Sequence, residues 1–128
     1  MGAAQRTKGA RAEREVANLL ADRLGGEVVR NLEQVRRDGG YDLLGVDPFA
    51  IEVKRSEQPR LVTWWAQACE QCPGGMVPTL FYRQSRQPWR VVLPLRYLLD
   101  PTDTGRGETC HTDIDGFCLI AREALSAA

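Results

Sequence analysis

The feature that most constrains the fold is a pair of short apolar segments joined by an Asp-Pro turn. It spans residues 39–54, with the sequence GGYDLLGVDPFAIEVK. Apolar runs bounded by turn residues are typical of β-strands, so we expect two neighbouring strands with the turn at Asp47-Pro48. Side chains alternate along a strand, so Glu52 and Lys54 share one face and Val53 takes the other. This turn places Asp42 opposite Val53 and beside Glu52, so that two carboxylates and one ammonium converge.

This arrangement of charges indicates a particular chemistry. Neighbouring carboxylates repel each other unless a cation offsets their charge, and oxygen ligands suit Mg²⁺ or Mn²⁺. A hard metal ion with a lysine suits phosphodiester hydrolysis, because the metal activates water and the positive charges stabilise the charge that develops on phosphate. The alternatives are that Asp42 caps a turn and that Glu52 and Lys54 form the solvent face of an edge strand.

The pattern resembles that of the PD-(D/E)XK nuclease superfamily, and a second segment resembles it further. Residues 8–16, KGARAEREV, are similar to the first helix of archaeal-type Holliday junction resolvases and their phage-encoded relatives. In that family a helix acid adds a metal ligand, and the resemblance assigns this role to Glu15. A helix after the Glu-x-Lys strand often carries a glutamine that faces the site, here Gln67. The resemblance covers roughly residues 6–99.

The resemblance implies an α/β fold with the αβββαββ core of restriction endonucleases, in which helices flank a mixed central sheet. It implies that Mg²⁺, for which Mn²⁺ can substitute, is held by Glu15, Asp42, Glu52 and the Val53 carbonyl. Lys54 would orient the attacking water or stabilise the phosphate, and Gln67 would position Lys54 or the water. Cutting both strands of a symmetric branched DNA takes two sites related by a two-fold axis, so we expect a homodimer.

The charge distribution favours a DNA partner although the net charge is zero, with 17 basic and 17 acidic residues. The basic residues cluster in sequence around the proposed site, where phosphates would lie. The alternative is that they form ordinary solvated faces. The candidates for DNA contact are Lys8, Arg11, Arg14, Arg36, Arg37 and Arg55.

We expect one domain with short flanking segments. Residues 1–7 are predicted to be a flexible tail, residues 8–99 the nuclease domain, and residues 100–128 a C-terminal extension packed on the same domain. Hydrophobic spacing predicts helices at about 8–24 and 63–71 and a short helix at 95–99. Besides the two motif strands, we expect strands at 27–30, 76–83 and 89–94. In the extension, we expect an edge strand at 116–120 and a last helical turn at 122–127.

The remaining signals are weaker. Cys69 and Cys72 form a C-x₂-C pair that, with Cys110 and Cys118, leaves two interpretations open, structural zinc or free thiols. The single histidine, His111, has no nucleophile motif around it. We expect no membrane partner and a cytoplasmic location, because there is no membrane-length apolar run and no signal peptide before the first helix.

The sequence therefore predicts a Mg²⁺-dependent endodeoxyribonuclease that acts on branched DNA and needs no small-molecule cofactor. Three alternatives remain open. The first is a catalytically inactive DNA-binding module of the same fold, and the second is a nuclease for another DNA structure or for duplex DNA. The third is a structural protein whose acids are surface charges.

Overall fold

A single six-stranded sheet, with strands in sequence order from β1 to β6, organises the described part of the chain. The structure is a computed structural model that describes residues 3–32 and 40–127. Its elements are α1 (Ala3–Leu24), β1 (Val29–Arg30), β2 (Leu43–Leu44), β3 (Phe49–Arg55), α2 (Leu61–Gln71), β4 (Val77–Arg83), β5 (Arg90–Pro94), α3 (Leu95–Leu99), β6 (Thr109–Asp113) and α4 (Ile114–Ala127).

The sheet is mixed because β3 and β4 pair in parallel while every other neighbouring pair is antiparallel. Parallel neighbours need a crossover connection, and α2 supplies it between β3 and β4. Helices flank this mixed sheet, so the predicted α/β fold of the restriction-endonuclease type is confirmed.

Two apolar clusters hold the layers together. The larger one joins α1 and α4 to one face of the sheet. At its centre the Phe117 ring meets those of Phe49 and Phe81 edge to face, with centroids 5.1 and 5.0 Å away. The smaller cluster lies on the other face, where Trp64 and Ala68 of α2 cover Leu80 and Val92. No helix within residues 3–32 and 40–127 has the length and apolar character needed to cross a membrane.

The register of β3 determines which way the motif faces. Ile51 and Val53 enter the larger core beneath α1. Glu52 and Lys54 alternate with them and lie level with Leu80 and Tyr82 of β4, on the face that α2 covers. The two charged residues of the Glu-x-Lys motif therefore share a face in the second half of β3.

Several predicted boundaries were wrong. Helix α1 begins at Ala3, so residues 3–7 continue the helix that we expected to start at Lys8. The first strand is limited to Val29–Arg30, and α2 begins at Leu61.

The largest correction concerns the C-terminal extension. The strand predicted at 116–120 is part of α4, and the extension's strand is β6 at Thr109–Asp113. The buried side chains of Ile114, Phe117, Cys118 and Ala121 recur at helical spacing, which an apolar run of a few residues conceals. The extension thus adds a sixth strand to the sheet and a helix to the main core.

Candidate active site

Asp42 lies immediately before β2, where its backbone and its side chain both bind β3. Its N–H donates to the Ile51 carbonyl at 2.8 Å, and the Val53 N–H donates to its Oδ2 at 2.7 Å. The backbone partner of Asp42 is therefore Ile51, not Val53 as we expected from the turn. The carboxylate nevertheless spans to Val53 and lies beside Glu52, at only 7% exposure.

Glu52 is a buried acid of the site with a strongly raised pKa. Its side chain is only 5% exposed, and its Oε1 has no hydrogen-bond partner among the described residues. Burial, and next the neighbouring negative charge of Asp42, raise the pKa of Glu52 to about 9 against the opposing effect of Lys54. Burial disfavours a charged carboxylate and a like charge nearby adds to that cost, so the pair retains a proton when no cation is bound.

The acid of α1 that interacts electrostatically with this pair is Glu13. Among the charges that act on the pKa of Glu52 is that of Glu13. The pKa of Glu13 itself is raised, first by burial and next by the Asp42 charge, against the opposing hydrogen bond from Arg30. That hydrogen bond runs from Arg30 Nε to Glu13 Oε1 at 2.8 Å. Glu13, Asp42 and Glu52 thus form one electrostatic group with Lys54.

Glu15, the helix acid assigned from the sequence, has a different partner. Its Oε1 accepts a hydrogen bond of 2.8 Å from Arg83 Nη1 at the end of β4. Helical spacing contains the signal that distinguishes the two acids. Glu13 precedes the buried Val16 and Leu20 by three and seven residues and so shares their face, whereas Glu15 does not.

Gln67 is not brought to the carboxylates. Helix α2 turns Trp64 and Ala68 toward the sheet, and Gln67 lies on its exposed side. Within the described ranges no hydrogen bond joins it to Glu52 or Lys54. A glutamine one position away from the buried face of a helix points about 100° from that face.

The structure describes four of the six residues that we predicted to contact DNA. Lys8, Arg11 and Arg14 are exposed on α1, and Arg55 is half-buried at the end of β3. Arg36 and Arg37 lie outside the described residues.

The donor set of the site fits a hard divalent cation of the Mg²⁺ type. Such ions bind through one or two carboxylates and keep several waters. Asp42 and Glu52 supply two buried carboxylates, and Oε1 of Glu52 has no hydrogen-bond partner among the described residues. In the described part of the chain no group of three or more histidine, cysteine, aspartate or glutamate side chains is arranged as a complete metal cage. The third acid nearby, Glu13, accepts a hydrogen bond from Arg30.

The four cysteines are free thiols, and no such group among the described residues includes them. Cys118 is buried against α1 in the larger core, while Cys72 follows the end of α2. Burial raises the pKa of both thiols, as it does those of Cys69 and Cys110. The free-thiol interpretation therefore accounts for what the structure shows of them.

Comparison with known proteins gives a family and a fold. No curated protein sequence matches this chain. Among solved structures, the chain is similar to that of Archaeoglobus fulgidus Hjc, a Holliday junction resolvase from an archaeal hyperthermophile. The TM-score is 0.51 at 21% sequence identity, and the match covers 88% of each chain. The resolvase thus shares the fold.

The sequence comparison identifies the family. Residues 4–105 match the family described as phage putative PDDEXK endonucleases. This segment runs from the start of α1 to the loop before β6 and contains the whole Asp42–Lys54 motif. The resemblance to PD-(D/E)XK nucleases drawn from the sequence is confirmed, and the chain belongs to the phage PDDEXK endonuclease family.

Proposed function

We propose that this protein is a Mg²⁺-dependent endonuclease that hydrolyses phosphodiester bonds in branched DNA. The observation that carries the proposal is the pair of buried acids, Asp42 and Glu52, beside Lys54 at the end of two parallel strands. Two buried carboxylates that share a proton are costly to maintain, and a divalent cation in place of the proton neutralises both. Membership of an endonuclease family agrees with this chemistry.

Each group then has a defined task. Asp42 and Glu52 would hold the cation, the Val53 carbonyl would be a further oxygen ligand, and Glu13 would supply negative charge from α1. When bound, the cation lowers the pKa of a coordinated water and stabilises charge on the phosphate. Lys54 projects from the same face as Glu52 and orients the water or stabilises the phosphate in its five-coordinate state.

The branched substrate is the finer part of the proposal. It draws on the fold shared with Archaeoglobus fulgidus Hjc, a Holliday junction resolvase. A junction has two equivalent strands to cut, so the proposal includes a homodimer with two sites related by a two-fold axis. Such an enzyme would act on DNA in the cytoplasm of the host cell.

The decisive experiment is a cleavage assay on three labelled substrates: a four-way junction, a linear duplex and a single strand. We expect the junction to be cut with Mg²⁺ or Mn²⁺ and left intact with Ca²⁺ or excess EDTA. The control is Lys54→Ala, which should retain metal binding by calorimetry because Lys54 acts on water and phosphate. Cleavage that survives EDTA would refute the metal-dependent mechanism, and equal cleavage of the linear duplex would refute branch selectivity.

A negative result would also be informative. Junction binding by the wild-type protein without cleavage in any metal would identify an inactive DNA-binding module of the same fold. Light scattering on the size-exclusion peak tests the dimer, and a monomer that still resolves junctions would contradict the two-site arrangement.

A further inference from the structure

Two arginines stand side by side at the carboxyl end of the parallel strand pair. Arg55 ends β3 and Arg83 ends β4, and the two residues are in register. Neighbouring strands lie about 4.8 Å apart, and residues in register on parallel strands point to the same face. Like charges placed directly opposite each other are destabilising unless anions offset them.

The acids near this pair offset it only in part. Glu15 accepts from Arg83, and the carboxylate of Glu57 accepts from the Ser85 N–H. Lys8 and Arg55 both act on the pKa of Glu57, so a third cation lies close by. Three cations therefore face two carboxylates, and the Nε of Arg55 is buried without a partner among the described residues.

The Arg83 guanidinium is held on one side and open on the other. Its Nη1 donates to Glu15 at 2.8 Å, and its Nε donates to the Gln87 carbonyl at 2.9 Å. Within residues 3–32 and 40–127 no hydrogen bond uses Nη2. An arginine fixed at two of its nitrogens presents the rest of its planar donor set in one orientation, which suits a phosphate oxygen.

We infer that Arg83 binds a phosphate of the DNA substrate and that Glu15 is a positioning residue for Arg83. This inference rests on the proposed function, because it places a second phosphate contact beside the site of Lys54. Lys54 is level with Tyr82 of β4, and Arg83 is the next residue of that strand. Because side chains alternate along a strand, Lys54 and Arg83 project from opposite faces at the same end of the sheet. We expect a DNA strand that crosses this end of the sheet to contact both.

The energetics of the ion pair favour a positioning role over a stabilising one. The side chains of Arg83 and Glu15 are 27% and 36% exposed. Ion pairs exposed to this degree contribute little to the free energy of folding. The main effect of this pair is to reduce the rotamer freedom that a long arginine loses when it binds a phosphate.

The test measures binding of a labelled four-way junction in Ca²⁺ at several salt concentrations. Arg83→Gln should flatten the slope of log affinity against log salt by about one unit, because one phosphate contact is lost. The matched control is Arg23→Gln, which removes another arginine of an ion pair, that with Asp115 between α1 and α4. The control and Arg83→Lys should keep the wild-type slope.

Glu15→Gln separates positioning from charge. We expect it to weaken junction binding severalfold in the wild-type protein and to have no effect in the Arg83→Gln background. Tighter binding of equal size in both backgrounds would show that Glu15 acts only as a repelling charge, and would overturn its assigned role. Thermal melting checks that each variant is folded. If Arg83→Gln is unfolded, the test rests on Glu15→Gln alone: weaker junction binding supports the positioning role, and tighter binding contradicts it.

The two possible failures are distinguishable. If the wild-type protein binds and cuts the junction but Arg83→Gln and Arg23→Gln show the same slope of log affinity against log salt, this inference is overturned. The proposed function would remain intact. Failure of the wild-type protein to bind DNA would overturn both.

Discussion

The backbone N–H of Val53 donates a hydrogen bond of 2.7 Å to the Asp42 carboxylate, which ties the chain before β2 to the middle of β3. This bond brings the Asp42 carboxylate to Glu52, whose other neighbours in the sheet are apolar. The strand pairing itself thus positions the Asp42 carboxylate.

Asp42→Asn should abolish cleavage and preserve the fold. The amide oxygen of asparagine still accepts from Val53, but the negative charge that holds a divalent cation is gone. We expect a loss of at least about 100-fold in cleavage rate, typical of removing a group that stabilises charge in the transition state. The pKa of Glu52 should fall, because Asp42 raises it, and an NMR titration of the Glu52 carboxyl measures this. An unchanged cleavage rate would remove Asp42 from the site.

The raised pKa of Glu52 also makes stability depend on pH. The pKa rises from an ordinary value of 4.5 to about 9. Between these values the folded protein keeps a proton that the unfolded chain has lost, so the free energy of unfolding falls as pH rises. The slope for one proton is at most about 1.4 kcal/mol per pH unit.

Urea denaturation in EDTA at pH 5, 6, 7 and 8 measures that slope. Glu52→Gln should remove it and be more stable than the wild-type protein at the upper end of the range, because the amide has no charge to bury. A variant whose stability falls with pH as steeply as the wild type would show that other groups carry the dependence.

Alternation along β3 was sufficient to predict that Glu52 and Lys54 share a face, and glycine and proline marked most element ends. The fold class followed from these signals because the sheet is built from short apolar strands whose ends are punctuated by turn residues. The expectation of a mixed sheet came only through the resemblance to a nuclease family. No local pattern specifies that β3 and β4 pair in parallel.

The site residues on helices were less predictable. Glu13 and Glu15 differ by two positions, which is about 200° around a helix, so assigning the acid required knowing which apolar residues are buried. For Gln67 the helical spacing held the signal, because Thr63, Gln67, Glu70 and Gln71 lie on one polar side of α2. Trp64 and Ala68 form the face that packs against Leu80 and Val92. In both helices the spacing of the apolar residues carries the signal, and the tertiary packing shows which face meets the sheet.

The C-terminal extension illustrates the same limit and gives a further prediction. Phe117 is fully buried against Phe49 and Phe81, so Phe117→Ala should lower the free energy of unfolding by about 3–5 kcal/mol. Leu119→Ala in the same helix is the control, because Leu119 is 64% exposed and the change should cost less than about 0.5 kcal/mol. Equal, small costs in urea denaturation would mean that α4 does not belong to the core.

Glu13 and Glu15 provide the sharpest comparison, since they lie on one helix and carry the same charge. Glu13→Gln should lower kcat on the junction by about 100-fold, because it removes a charge from the group that contains Asp42 and Glu52. Glu15→Gln should leave kcat within about twofold at saturating DNA, because its partner is Arg83 and its effect falls on binding.

Single-turnover cleavage with each glutamine variant separates these effects, and calorimetry with Ca²⁺ reports metal binding without turnover. Removing Glu13 leaves Arg30 without its 2.8 Å hydrogen bond, so thermal melting must show that the variant is folded. The opposite ranking, with kcat lost in Glu15→Gln and kept in Glu13→Gln, would restore Glu15 as the acid that α1 contributes to the metal site. It would also require Glu15 to leave Arg83 when the cation binds.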